Sequence, residues 1–323
     1  MSARRRTIRI EPIAPYDLKL SIEIFRSDRD LPTVIGDRLE LLVQVGEECE
    51  LIDLEQRGDA DHPELTATTV AREGDEIRAE ELRDQIERMM NLRLNLLHFY
   101  AQVADDPVLG PLIPRLRGLK PSRTPTPFQA LVASITEQQI SLVAAHAITQ
   151  RMVERYGTKL ELKGRVVHVF PTPKQLAQGD VESLKACGLS TRKAEYILGV
   201  SKEVDEGRLD LEALEFHTTE EVVERLRAVR GVGLWTAEMS ALRGVSKFDA
   251  LPADDLGLRR IISEYYVRGK GVTSEQARTI AKGWGPWAGL AAYYLVVASI
   301  LDLKVESKRA KGYHPAARKS SRG

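Results

Sequence analysis

The hydrophobic period of this chain changes once, near residue 75, and that change limits what it can fold into. Before it, Ile8 and Ile10, then Leu18, Leu20, Ile22 and Ile24, then Leu39, Leu41, Val43 and Val45 alternate with polar neighbours at period two, as half-buried strands do. Pro12, Pro15, Pro32, Gly36 and Gly46 break these runs into turns, and residues 51–54 and 65–70 offer two more strands. Residues 79–104 then run without Gly or Pro, rich in Glu, Leu, Arg and Met at helical spacing. Helical segments follow over roughly 127–156, 180–187, 191–206, 218–228, 233–243, 254–267, 273–283 and 287–302, with only a short strand pairing near 166–170. Caps mark their starts: Thr126 before Pro127, Ser190, Thr218 with Thr219, and Thr273 with Ser274. The expectation is an α+β protein: a β-rich antiparallel unit over 1–92, an all-α domain over 93–303, and a basic tail over 304–323.

Charge is distributed unevenly. The net charge is zero, yet residues 1–92 carry −9, residues 304–323 carry +6 and the stretch between carries +3. A polyanion would therefore meet the later part of the chain. Two cysteines, Cys49 and Cys187, make no disulfide scaffold, and Met1 to Arg9 lack the apolar core of a signal peptide. Apolar stretches such as 288–301 fall short of the roughly 20 residues that span a bilayer. These features point to a cytoplasmic protein with no membrane contact.

Residues 226–260, LRAVRGVGLWTAEMSALRGVSKFDALPADDLGLRR, carry the chemistry. One helix ends near Val229, the turn Arg230-Gly231-Val232-Gly233 follows, and a second helix starts at Leu234. Two glycines around an apolar residue permit positive φ angles and present backbone N–H groups at a helix N-terminus, where an anion is favoured. A turn that merely joins two helices would use the same glycines. Twenty residues beyond Trp235, Asp254 and Asp255 open the next helix after Pro252. Asp254 is expected to cap it, leaving Asp255 to project toward whatever faces the hairpin.

At these residues the chain resembles the helix-hairpin-helix DNA glycosylase superfamily, within it the 3-methyladenine glycosylase II branch. The resemblance extends to residues 128–141 (FQALVASITEQQIS), 184–197 (LKACGLSTRKAEYI) and 284–295 (WGPWAGLAAYYL), and to the β-rich leading segment. It implies a partner, double-stranded DNA containing damaged bases, and a monomer that flips the target nucleotide into a pocket. There Asp255 would stabilise the oxocarbenium-like state and direct water. Trp235, Met239, Leu256, Tyr293 and Tyr294 would line the base pocket. DNA would be held by Arg230, Gly231, Val232, Gly233 and Thr236 of the hairpin, by Ser190, Arg192 and Lys193 at a helix start, and by Gln139 as the wedge that fills the gap left by the flipped base. Backbone carbonyls of Arg227, Val229 and Val232 match places where the family holds a structural Na+ or Mg2+. No catalytic cofactor is implied, and two cysteines 138 positions apart match no iron–sulfur motif. Relatives that also cleave the backbone carry lysine where this chain has Trp235, so a monofunctional glycosylase for alkylated bases in base-excision repair is expected. Val296 stands where a pocket tryptophan is frequent, which leaves a glycosylase for oxidised or deaminated bases open. A hairpin protein that binds DNA without catalysis, with Asp255 only a cap, is the other alternative.

Overall fold

The computed structural model describes residues 5–22, 33–45, 48–70, 75–162 and 164–305. Five strands form the leading unit: β1 (Arg5–Ile10), β2 (Thr33–Ile35), β3 (Arg38–Val45), β4 (Glu48–Arg57) and β5 (Glu64–Val70), antiparallel throughout in the order β1-β5-β4-β3-β2. Period-two alternation places Leu39, Leu41 and Val43 of β3 on one face. They pack there with Ile52 and Leu54 of β4 and with Leu82 and Ile86 of helix α2 (Asp75–Met89). Alternation misleads in one place. Leu18, Leu20 and Ile22, expected in a strand, lie in the short helix α1 (Leu18–Ile22), because the Asp17 carboxylate accepts the Leu20 N–H at 2.9 Å and its carbonyl takes the Ser21 N–H. Ile24, the turns expected at Pro32 and Gly46, and the tail beyond residue 305 lie outside the described residues.

The remainder is helical: α3 (Leu96–Gln102), α4 (Leu109–Leu112), α5 (Pro127–Glu137), α6 (Leu142–Tyr156), α7 (Pro173–Ala177), α8 (Val181–Ala186), α9 (Thr191–Asp205), α10 (Thr219–Arg227), α11 (Leu234–Val245), α12 (Leu256–Val267), α13 (Ser274–Ala281) and α14 (Ala288–Ile300). One hairpin, β6 (Thr158–Leu162) with β7 (Arg165–Val169), interrupts them. Two helices expected to be continuous are broken. Residues 79–104 divide at Asn91, which adopts φ 49° and donates through Nδ2 to the Pro121 carbonyl at 2.6 Å, and Asn95 then caps α3. Residues 127–156 divide at Gln139, with φ 55°, before Ser141 caps α6. Helical periodicity passes through both breaks because the intervening residues stay in phase with a buried face.

Helices do not share a single core. One core joins residues 96–119 to α12, α13 and α14 around Phe99, Trp284 and Tyr294, while another joins α5 to α11 around Leu131, Ile197 and Leu226. A groove opens between them, and residues of the sheet unit also line it.

Lys120 ties the sheet unit to the helices. Its side chain is fully buried, and Nζ donates to the carbonyls of Ile13 at 2.7 Å and Leu92 at 2.9 Å, 5.6 Å from the Tyr16 ring centroid. Burial pushes its pKa down to about 7, far below the unfolded value of about 10.4. Between those values the unfolded chain binds the extra proton, so stability rises with pH from about 7 to about 10 and the contribution is lost as pH falls through 7. Lys120→Met should flatten that rise in urea titrations. It should also lower stability near neutrality by on the order of 1–3 kcal/mol, because two buried carbonyls lose their donor.

Candidate active site

The hairpin is built by helix ends. Helix α10 carries a capping box, Thr218 with Glu221, and finishes at Arg227; the Val232 N–H then closes the turn on the Val229 carbonyl at 3.1 Å. Gly231 sits at φ 90°, and a Cβ there would lie 2.2 Å from the Tyr196 ring, so the position excludes any other residue both by conformation and by contact. Gly233 corrects the expectation that both glycines take positive φ. It adopts φ −81°, ψ 177°, which any residue can adopt, and caps α11 without a side-chain hydrogen bond, with nothing near its missing Cβ. Its glycine therefore leaves the N-terminal amides of α11 uncovered, at the positive end of the helix dipole.

Asp255 reverses roles with its neighbour. It is itself the N-cap of α12: Oδ1 accepts the Leu258 N–H at 2.8 Å, while Oδ2 accepts the Trp235 indole N–H at 3.1 Å. Asp254, expected to be the cap, is exposed and accepts the Ser274 hydroxyl at 2.6 Å instead. Both oxygens of the half-buried Asp255 are thus anchored by one bond each, and each keeps lone pairs for a further partner. The loop before it is fastened by Arg278, which donates to the Leu251 carbonyl at 3.1 Å and pairs at 2.9 Å with Glu238, buried on α11. Burial raises the Glu238 pKa, against the pull of Arg278. Neither residue was apparent from sequence, since 40 positions separate them and no motif joins them.

Asp255 and Trp235 face one groove of about 2220 Å³. Met239, Leu256 and Tyr293 line it as expected, joined by Phe248, Leu242 and Val296. Tyr293 presents its ring while its Oη is enclosed without a partner among the described residues, and burial pushes that phenol pKa up. Tyr294 does not line the groove. One position along α14 turns it into the core, where it packs edge-on against Phe99 and donates to the Leu119 carbonyl at 2.8 Å. The far end of the groove is walled by β3, with Leu41, Leu42 and Gln44, and by the β6–β7 hairpin, which Arg165 pairs to Glu40 of β3.

The residues expected to grip DNA divide. Gln139 is exposed on the groove rim in a left-handed conformation rare outside glycine. Arg230 is exposed, 5.9 Å above the Tyr196 ring and 3.4 Å from Glu195; Ser190 caps α9, and Arg192 is exposed beside it. Thr236 is buried, its hydroxyl accepting from Gln138 Nε2 at 2.9 Å. Lys193 is also occupied internally: its Nζ donates to the carbonyls of Thr136 at 2.8 Å and Gln138 at 2.6 Å. The helix start predicted to offer a cation to phosphate spends it on the end of α5.

A glycine hairpin thus opens one helix and an aspartate caps the next across a shared groove. The family model for the HhH-GPD superfamily, base excision DNA repair proteins, matches residues 132–286. A DNA-3-methyladenine glycosidase of known structure from Bacillus halodurans is 32% identical, with a TM-score of 0.51, over 69% of this chain and 94% of its own. The 3-methyladenine DNA-glycosylase of Archaeoglobus fulgidus is 27% identical with a TM-score of 0.78, over 91% of this chain and 99% of its own, so that likeness takes in the sheet unit. The DNA-3-methyladenine glycosylase of Bacillus subtilis is 28% identical over 218 residues, 68% of this chain and 72% of its own. The chain belongs to the HhH-GPD superfamily. Among the described residues, no helix is long and apolar enough to cross a membrane.

Gly231→Ala should be severe. The strained backbone and the clash with Tyr196 together should destabilise the fold by about 2 kcal/mol or more. Urea unfolding measures that loss, and duplex binding at a temperature where the variant is still folded should be weakened as well.

Proposed function

We propose that this protein is a monofunctional DNA glycosylase that hydrolyses the N-glycosidic bond of alkylated purines, of the 3-methyladenine and 7-methylpurine type, with Asp255 as catalytic carboxylate. One observation carries the reading: Asp255 is held by both oxygens at the wall of a groove that opens beside the uncapped hairpin amides.

Uncovered amides at the start of α11 suit a DNA phosphate, and they need no basic side chain to do so. The nucleotide flipped into the groove meets Trp235, Met239, Phe248 and Tyr293. An alkylated base is cationic, and an aromatic face favours it by about 1–2 kcal/mol once water is excluded. As the bond from C1′ to the base nitrogen breaks, its electron pair leaves with the base, which departs neutral, and positive charge grows on the sugar. Asp255 is an acceptor held by two hydrogen bonds before the reaction begins, so it stabilises that charge without reorganising. Water then bonds to C1′ and passes its proton to the lone pairs that the capping and indole bonds leave free. A Schiff-base route would need an amine here; among the described residues that line the groove, none is lysine.

The proposal includes a hairpin cation. The Val229 carbonyl already accepts one hydrogen bond, from Val232, and so retains one lone pair; it and the carbonyls of Arg227 and Val232 are neutral oxygen donors of the kind that a hard ion such as Na+ or Mg2+ would take. Such an ion would supply positive charge beside the amides, which favours an anion there. We assign the protein to act as a monomer in the cytoplasm, in contact with chromosomal DNA.

Incubation with methylated duplex DNA should release 3-methyladenine and 7-methylpurines, and strand nicks should appear only after added alkali. Asp255→Asn should slow release at least about a hundredfold while leaving duplex binding nearly intact. Trp235→Phe keeps the ring but removes the anchoring N–H, and should slow release about tenfold. Faster release of oxidised or deaminated bases across a lesion panel would replace the substrate class. Binding with no release from any duplex would remove Asp255 from catalysis.

A further inference from the structure

Helix α5 ends in an unusual way. Its C-cap residue Gln138 has ψ 125°, its N–H reaches the Ile135 carbonyl only at 3.4 Å, and the next residue, Gln139, is left-handed and exposed. A chain that turns so sharply, with exposed Ile140 and Leu142 following, has little of its own to hold it. Three neighbours supply the restraint. Gln138 Nε2 donates to the Gly231 carbonyl at 3.1 Å and to the Thr236 hydroxyl at 2.9 Å, both in the hairpin and helix α11. The Glu137 carboxylate pairs with Arg243 of α11 at 2.7 Å. Lys193 takes the Thr136 and Gln138 carbonyls.

The lysine is the telling member. It occupies the first turn of α9, where the helix dipole disfavours a cation, and burial lowers its pKa further. What offsets both is the carbonyl-rich end of α5, the negative pole of that helix. We propose that Lys193 and Gln138 are positioning residues which mount Gln139 on the phosphate-gripping hairpin, so that hairpin and finger meet the duplex as one rigid piece. The inference rests on the reading of Gln139 as the group that fills the gap left by the flipped base. It assigns Lys193 an internal task in place of a phosphate contact.

The two tasks predict opposite results for Lys193→Met. A phosphate contact would weaken binding to undamaged duplex and reduce the slope of log affinity against log salt by about 0.9, with the single-turnover rate on saturating DNA unchanged. A mount leaves affinity and salt slope within about twofold of wild type, whereas misplacing the finger lowers the single-turnover rate about tenfold to a hundredfold. Stopped-flow fluorescence of 2-aminopurine beside the lesion should show slower flipping by the same factor, and Lys193→Arg should recover part of the rate. Gln138→Leu, which leaves the lysine in place, should slow flipping likewise and carries the test if Lys193→Met does not fold. Wild-type single-turnover rates in both variants, with Gln139→Ala slow, overturn the inference alone. A wild-type rate in Gln139→Ala overturns the finger itself and the inference with it.

Discussion

Unpaired backbone groups at helix ends organise the whole cleft. Every α-helix leaves N–H groups at its start and carbonyls at its finish, and here four such ends converge. The start of α11 is uncovered beside the hairpin, the start of α12 is capped by Asp255, the start of α9 carries Lys193, and the finish of α5 delivers its carbonyls to that lysine. Because the groups belong to the backbone, their positions follow from how the helices pack, and the packing is fixed by the two helical cores on either side of the groove. Geometry at the site is therefore a consequence of the fold and not of flexible side chains.

Asp255 shows how structural and chemical duties coincide in one residue. Capping is ordinarily sufficient explanation for an aspartate at a helix start. The added indole bond is not needed for capping: it occupies the second oxygen and turns the carboxylate toward the groove. An acceptor held at two points before substrate arrives needs no rearrangement when positive charge develops nearby, which is what electrostatic preorganisation requires. Trp235 thereby does two things, lining the groove and anchoring the carboxylate through its N–H.

Much of this was legible in the residues. The change of period near residue 75 separated sheet from helices, and the resemblance carried by residues 226–260 paired Trp235 with Asp255, which do line one groove. Failures occurred where neighbouring positions compete for one role. Asp254 and Asp255 are equal as caps by composition, and only the indole, brought in from another helix, decides between them. Tyr293 and Tyr294 are equal as aromatics, and a turn of about 100° per residue sends one to the groove and the other to the core. Lys193 looked like a phosphate ligand because its partner carbonyls lie over 50 residues away and carbonyls leave no mark in sequence. Leu18 to Ile22 read as a strand because three alternating apolar residues over five positions also suit a short capped helix.

The neutral charge of the chain arises because the acidic residues 1–92 offset the positive excess of the rest. A protein that gripped DNA mainly through lysine and arginine would carry a positive excess and bind any duplex strongly. Here Arg243 is paired to Glu137, Arg278 to Glu238 and Arg165 to Glu40, so several cations near the groove already have carboxylate partners within the protein. Arg192 and Arg230 stay exposed, and the hairpin amides add dipoles that act only over short distances and only in register.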